Sequence, residues 1–125
     1  MKFSIITNNP FVAKNYEDEY DVQYFDISIK EIMQKVRDLC GEGHELLTHP
    51  LSGSVKPGET PYKSVLVTQS RTCSCDTNGF ILAQTAMDAC DKFASMHKEW
   101  SPSVLDDFQL VDYTLITSGI ESAVR

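Results

Sequence analysis

The stretch FSIITNNP at residues 3–10 decides the fold class, because a short apolar strand is followed at once by a helix start. The segment Phe3–Thr7 has the apolar, β-branched composition of a buried strand. Asn9 is a favoured helix N-cap, and Pro10 suits the first helical position, where its missing N–H costs no hydrogen bond. A strand that turns directly into a helix is typical of α/β proteins.

The clearest predicted helix begins after Ser28. Ser28 and Glu31 have the spacing of a capping box, in which two unpaired backbone donors at the helix start are satisfied. Apolar residues then recur at helical spacing, at Ile29, Ile32, Met33, Val36, Leu39 and Cys40. Gly41 or Gly43 is expected to end the helix, because glycine adopts the left-handed cap conformation at little cost.

The remaining elements alternate in the same way. Strands are predicted at 22–25, 46–47, 65–67 and 110–116. A second long helix is predicted to start near 76–78, and Ser118 and Glu121, with the spacing of a capping box, predict one last helical turn. This order predicts one α/β domain over residues 1–125, a three-layer, Rossmann-like sandwich with a small, mainly parallel sheet of about four or five strands. The loop before 65–67 is long enough for either a parallel or an antiparallel connection.

Composition excludes several classes of function. Eighteen acidic residues against eleven basic ones in 125 give a net charge of −7, which disfavours nucleic-acid binding because that binding neutralises phosphate with Lys and Arg. No apolar run approaches the roughly 20 residues that span a bilayer. The apolar run at the amino end is too short for a secretory signal. We therefore expect a cytoplasmic protein, without nucleic-acid or membrane partners, whose four cysteines are free thiols.

The segment at 48–64 does not look like scaffold. It holds three of the five prolines and two of the six glycines, which favours an ordered loop. Ser52, Gly53 and Ser54 can point backbone N–H groups and hydroxyls at an anion, and Lys56 and Lys63 add positive charge. The segment therefore predicts a carboxylate or phosphate site, with a rigid connector as the alternative.

Strand direction suggests which residues share this site. The strands at 3–7 and 46–47 should be parallel, so residues that follow them should meet at one edge of the sheet. The predicted ligand-binding residues are Asn8, Asn9, Thr48, His49, Ser52, Gly53, Ser54, Lys56 and Lys63. His49 is also the candidate acid/base catalyst. No nucleotide or hydrolase motif is present, and no cofactor or metal is predicted.

The same segment carries a resemblance to a known family. THPLSGSVKP at 48–57 and ETPYKS at 59–64 resemble the signature of the GrdX family, and SIITNNP at 4–10 is similar to that family as well. These are small proteins found with the glycine, sarcosine or betaine reductase systems of anaerobic amino-acid-fermenting bacteria. The resemblance implies an accessory role in such a system and reductase components as partners. It implies no assigned activity and no catalytic residues.

Three hypotheses follow. The first is a binding or accessory protein of a glycine-reductase-type system that receives an anionic small molecule or a partner segment at the 48–64 loop. The second is a small enzyme of the same system that uses His49 as its acid/base. The third is an interaction module without a pocket.

The cysteines fall into two groups. Cys40 and Cys90 lie on apolar helix stripes and are expected to be buried. Cys73 and Cys75 lie in a loop before a helix, with C-x-C spacing rather than the C-x-x-C of redox and zinc motifs. Ordinary loop residues are the favoured interpretation of this pair, with a redox or metal role as the alternative.

Overall fold

The computed structural model describes residues 2–50, 60–92 and 100–124 of the chain. These residues form three strands and four helices. In chain order the elements are β1 (Phe3–Thr7), α1 (Pro10–Tyr16), β2 (Asp21–Tyr24), α2 (Ile29–Gly41), β3 (Ser64–Thr68), α3 (Thr77–Lys92) and α4 (Pro102–Ala123).

The sheet has the strand order β2-β1-β3. The central strand β1 is parallel to β2 and antiparallel to β3, with Thr7 opposite Ser64 at one end of the ladder and Phe3 opposite Thr68 at the other. The prediction of a mainly parallel, Rossmann-like sheet of four or five strands is therefore wrong. Within the described residues the sheet is small and mixed, and the chain is a small α/β protein.

Residues 110–116, which the sequence predicts as a strand, lie inside helix α4. Ser101 caps this helix by accepting a hydrogen bond from the backbone N–H of Val104, and Pro102 occupies its first turn. The buried residues of α4 are Asp112, Ile116 and Ile120, which recur at intervals of four and so form a helical stripe. Ser118 and Glu121, predicted to start a new helical turn, lie in the interior of the same helix.

The predicted strand at 46–47 is reduced to a single bridge. Leu46 pairs with Val67 in antiparallel geometry, and the backbone N–H of Leu47 donates to the carbonyl of Leu66. The hydroxyl oxygen of Thr48 then accepts the N–H of Leu66 at 3.0 Å, so a side chain replaces the backbone partner that a longer ladder would need. Because β3 is antiparallel to β1, this short segment runs in the direction of β1, as predicted.

Each face of the sheet is covered by two helices. Alternate residues of β1 point to opposite faces, so Ile6 packs with α2 and α3 whereas Ile5 packs with α1 and α4. Buried residues of the first cluster include Ile32, Met33, Val36, Val65, Val67, Ala83 and Ala86. Those of the second include Phe3, Val12, Tyr16, Leu66, Ile116 and Ile120. Hydrophobic contact on both faces explains why β1 and β3 are buried along their whole length.

The predicted starts of α1 and α2 are confirmed by their caps. The Asn9 side chain accepts a hydrogen bond from the N–H of Phe11, with Pro10 in the first turn. Ser28 and Glu31 form the reciprocal capping box of α2. α2 ends at Gly41, and Gly43 adopts a φ of 107°, in the left-handed region that favours glycine. These local signals fix where α1 and α2 begin and where α2 ends.

Replacing Gly43 with alanine should destabilise the fold by about 2 kcal/mol. The new Cβ would require the left-handed backbone angle and would also collide with the carbonyl oxygen of Cys73. Gly41→Ala is the matched control, since its Cβ meets only the Phe80 ring at 3.6 Å, an ordinary contact. Urea unfolding of both variants measures the difference. An equal effect of the two substitutions would contradict this account of Gly43.

Candidate functional site

The candidate site lies at the edge of the sheet where β1 ends and β3 begins. Thr7, the last residue of β1, is paired with Ser64, the first residue of β3. Asn8 and Asn9 follow directly on one strand, and Lys63 directly precedes the other. The structure therefore brings residues from the amino end and from the end of the 48–64 segment to one place.

A cavity of about 490 Å³ opens beside this edge, between the residues after Leu46, the start of β3 and the last half of α4. Its polar lining consists of Thr48, His49, Lys63, Ser64, Ser118 and Ser122, and its apolar and glycine lining of Leu47, Leu115, Ile116, Gly119 and Ala123. A cavity of this size and mixed lining is in the range of small-molecule sites. Thr48 and His49 thus share the edge with Asn8, as the predicted strand directions require.

A buried hydrogen-bond network lies behind the cavity wall. The Asp112 carboxylate is 4% exposed and accepts from the Ser64 backbone N–H at 3.0 Å, from the Ser64 hydroxyl at 2.7 Å and from the Asn9 amide at 3.0 Å. Because the Ser64 proton goes to Asp112, the Thr7 hydroxyl donates to the Ser64 oxygen, at 2.6 Å. Thr7 in turn accepts the backbone N–H of Asn9 at 2.9 Å. The network joins β1, β3 and α4 at one point.

The protein holds the charges of this region in a partly desolvated setting. Burial raises the pKa of the Asp112 carboxyl, while the hydrogen bonds from Ser64 and Asn9 and the nearby Lys63 ammonium act in the opposite direction. Burial lowers the pKa of the Lys63 amine, and the Asp112 carboxylate opposes that effect. Each charge therefore offsets part of the desolvation cost of the other.

The two asparagines are built into the framework of the site. The Asn8 amide donates to the carbonyls of Ile27 and Pro61, both at 2.9 Å, and its oxygen accepts the backbone N–H of Lys63 at 2.9 Å. Asn9 caps α1 through its oxygen and donates to Asp112 and to the carbonyl of Gln109. Both side chains are buried and already have protein partners. A ligand contact by either stays a prediction, whereas their role in positioning Lys63 and α4 is visible.

The other predicted residues are placed unequally. His49 is exposed and lines both the main cavity and a neighbouring one of about 220 Å³. Ser52, Gly53, Ser54 and Lys56 lie outside the described residues, so their predicted part in anion binding stays a prediction. Of the cysteines, Cys40 is buried as predicted, Cys90 is only partly buried, and Cys73 and Cys75 are exposed.

Within residues 2–50, 60–92 and 100–124, no group of three or more His, Cys, Asp or Glu side chains is arranged to hold a metal ion. None of the helices in those same ranges combines the length and the apolar composition needed to cross a bilayer.

Sequence reasoning missed Asp112 and the serines of α4. Assigning 110–116 to a strand separated Asp112 from the helical segment on which Ser118 and Ser122 lie one turn apart. One signal was available. Asp112, Ile116 and Ile120 are spaced by four, so a helical interpretation places a carboxylate within an apolar stripe. A charged residue in a core position indicates a buried polar partner elsewhere in the chain.

Within the described residues, the fold and the site define a small α/β protein with a mixed three-stranded sheet and a cavity of mixed polar and apolar lining at the end of its central strand. The chain matches the family described as GrdX-like protein over residues 4–121, and it therefore belongs to that family. No curated protein and no solved structure matches it. Membership fits the general association with glycine reductase systems that the sequence resemblance implies.

Replacing Asp112 with asparagine should destabilise the protein by about 1–3 kcal/mol. Three donors point at the carboxylate, and an asparagine amide group would turn its own N–H toward at least one of them. Asp106→Asn, at an exposed position of the same helix, is the control and should change little. Urea unfolding of both variants is the measurement, and equal stabilities would contradict the role assigned to Asp112.

The difference in unfolding free energy between the wild type and D112N should depend on pH. Because folding raises the pKa of Asp112 above 3.8, its titration contributes stability that is complete below that pH and is lost as the pH rises through the raised pKa. The advantage of the wild type over D112N in unfolding free energy should therefore shrink as the pH rises from about 4. A gap that widens with pH would show that the carboxyl is ionised more readily in the folded protein.

Proposed function

We propose that this protein is a binding or accessory protein of a glycine-reductase-type system, and that the cavity beside Thr48, His49 and Lys63 receives an anionic small molecule or an anionic segment of a partner. The observation that carries the proposal is the charge of the cavity wall. Among its described lining residues the only ionisable side chains are His49 and Lys63, although the chain as a whole has a net charge of −7.

The position of Lys63 supports an anionic occupant. Its backbone N–H is bound to the Asn8 side chain, and the next residue, Ser64, is bound to Asp112, so the chain on both sides of its Cα is fixed. An ammonium carried by this fixed backbone in a partly desolvated wall attracts an anion more strongly than a surface lysine does, because water screens it less. Preorganisation also lowers the entropy that is lost when an anion binds.

The hydroxyl groups of the cavity support the same class of ligand. Ser118 and Ser122 lie one turn apart on α4, and Thr48 faces them across Gly119. A Cβ on Gly119 would come within 2.9 Å of the Thr48 methyl group, so glycine allows the close approach of the two walls. Hydroxyl donors beside one ammonium are the groups that a carboxylate or phosphate oxygen needs.

Replacing Lys63 with glutamine should weaken anion binding about tenfold to a hundredfold, the loss expected for one charge-assisted hydrogen bond. Titration calorimetry with phosphate, sulfate, glycine and acetyl phosphate provides the affinities. Lys14→Gln, an exposed lysine in the last turn of α1, is the matched control with the same change in net charge. Equal loss in both variants would mean that only the overall charge matters. No binding of any anion by the wild type would count against the small-molecule form of the proposal.

A separate experiment tests whether the cavity receives an anionic segment of a partner protein. Purified glycine, sarcosine or betaine reductase components are passed over the immobilised wild type, K63Q and K14Q. Retention by the wild type and by K14Q, but not by K63Q, would support an anionic partner segment at the cavity. Equal retention by all three proteins would favour a docking surface elsewhere on the chain.

At alkaline pH, anion affinity should fall as the pH rises. The fall should begin below the ordinary lysine pKa of 10.5. Burial lowers the pKa of Lys63, and a bound anion would raise it again, so binding takes up a proton. Sulfate is the suitable probe because its own charge does not change in this range. K63Q should show a flat profile there, and a wild-type affinity that is independent of pH would contradict the assigned contact.

A further inference from the structure

Cys73 and Cys75 lie in the loop between β3 and α3, outside the wall of the proposed anion site. They are the two exposed cysteines of the four in the chain, since Cys40 is buried and Cys90 is partly buried. Two exposed thiols, two residues apart in one loop, form a potential dithiol. This arrangement is independent of the proposed function.

The loop holds this pair in place from both sides. On one side, the backbone N–H of Thr72 donates to the carbonyl of Gly43 at 2.9 Å. On the other side, the backbone N–H of Asp76 donates to the carbonyl of Cys40 at 2.8 Å, and the Asp76 carboxylate accepts the N–H groups of Leu46 and Gly79. The two thiols therefore lie on a short segment whose flanks are fixed to the rest of the fold.

The spacing suits a disulfide between these two residues. Two residues of fully extended chain span at most about 7 Å, and disulfide-bonded Cα atoms are usually 4.4–6.8 Å apart. The chain bends at Cys73 and Ser74, so this segment is not fully extended. The Cys73 thiol donates to the Gly43 carbonyl at 3.5 Å, and the Cys75 sulfur accepts from the Thr77 hydroxyl at 3.9 Å. Contacts of sulfur are weak, so both side chains can turn toward each other at little cost.

The thiols of Cys40 and Cys90 compete poorly with the two loop thiols for reaction with a disulfide. Burial, with smaller contributions from Asp76 and the two loop thiols, raises the pKa of Cys40 to about 12. Burial also raises the pKa of Cys90. The thiolate is the form that attacks a disulfide, and access to the sulfur is needed as well. Both conditions favour reaction within the loop.

We propose that Cys73 and Cys75 form a redox-active dithiol that closes into an intraloop disulfide by exchange with an accessible aliphatic disulfide. One cysteine thiolate attacks a sulfur of the R–S–S–R oxidant, the S–S bond breaks, and one RS⁻ leaves and takes up a proton. The second thiolate then attacks the protein sulfur of the mixed disulfide and releases the second RSH. In total, two protein thiols lose two electrons and two protons, and the oxidant becomes two thiols.

The full chain, reduced beforehand, is equilibrated in mixtures of reduced and oxidised glutathione, alkylated, digested and analysed by mass spectrometry. The peptide that contains both loop cysteines should lose two hydrogens and resist alkylation as the mixture becomes oxidising. Reduced glutathione should reverse the change. Cys40 and Cys90 should stay alkylatable after unfolding. The matched control Cys90→Ser should form the disulfide between Cys73 and Cys75 as the wild type does.

Single variants test the exchange step. In C73S and in C75S the remaining loop cysteine should retain one glutathione, because no second thiol can release it. Separate glutathione adducts on Cys73 and Cys75 of the wild type would overturn the proposal. So would a bridge to Cys40, to Cys90 or to another molecule, and so would a loop that stays reduced throughout the series.

Discussion

The buried carboxylate of Asp112 is the interaction on which the site depends. It accepts two hydrogen bonds from Ser64 and one from Asn9, so one side chain of α4 fastens the start of β3 and the residues after β1. A buried carboxylate without such donors would cost several kcal/mol, so its partners fix how α4 can pack on the sheet. The cavity wall formed by Ser118 and Ser122 follows from that placement, because both lie further along the same helix.

Local sequence signals predicted the individual elements up to α3, but they did not predict the mixed sheet, and they failed at residues 110–116. The N-cap at Asn9 and the capping box at Ser28 act within a few residues, and the helices that they predict are present. Residues 110–116 contain β-branched and aromatic side chains that suit a strand, yet they are helical. The deciding contact joins Asn9 to a carboxylate 103 positions later in the chain, and no short sequence window contains both groups.

The site was predictable where it depends on strand direction alone. The direction of β1 and of the 46–47 segment was enough to place Asn8 near Thr48. The internal partners of Asn8 were not predictable, because they are backbone groups of Ile27, Pro61 and Lys63 that only the folded chain brings together. Asn8 and Asn9, which the sequence predicts as ligand contacts, hold the segments around the cavity together through these hydrogen bonds.

The antiparallel direction of β3, which the sequence leaves open, is what completes the edge. In a parallel sheet the start of β3 would lie at the end opposite to that of Thr7, and Lys63 would be a whole strand length away from Thr48. Because β3 runs the other way, Ser64 pairs with Thr7, and Lys63 reaches the cavity that Thr48 and His49 also line. A parallel sheet collects the carboxyl ends of its strands at its binding edge. Here the binding edge combines one carboxyl end with one amino end, so both ends of the 48–64 segment meet there.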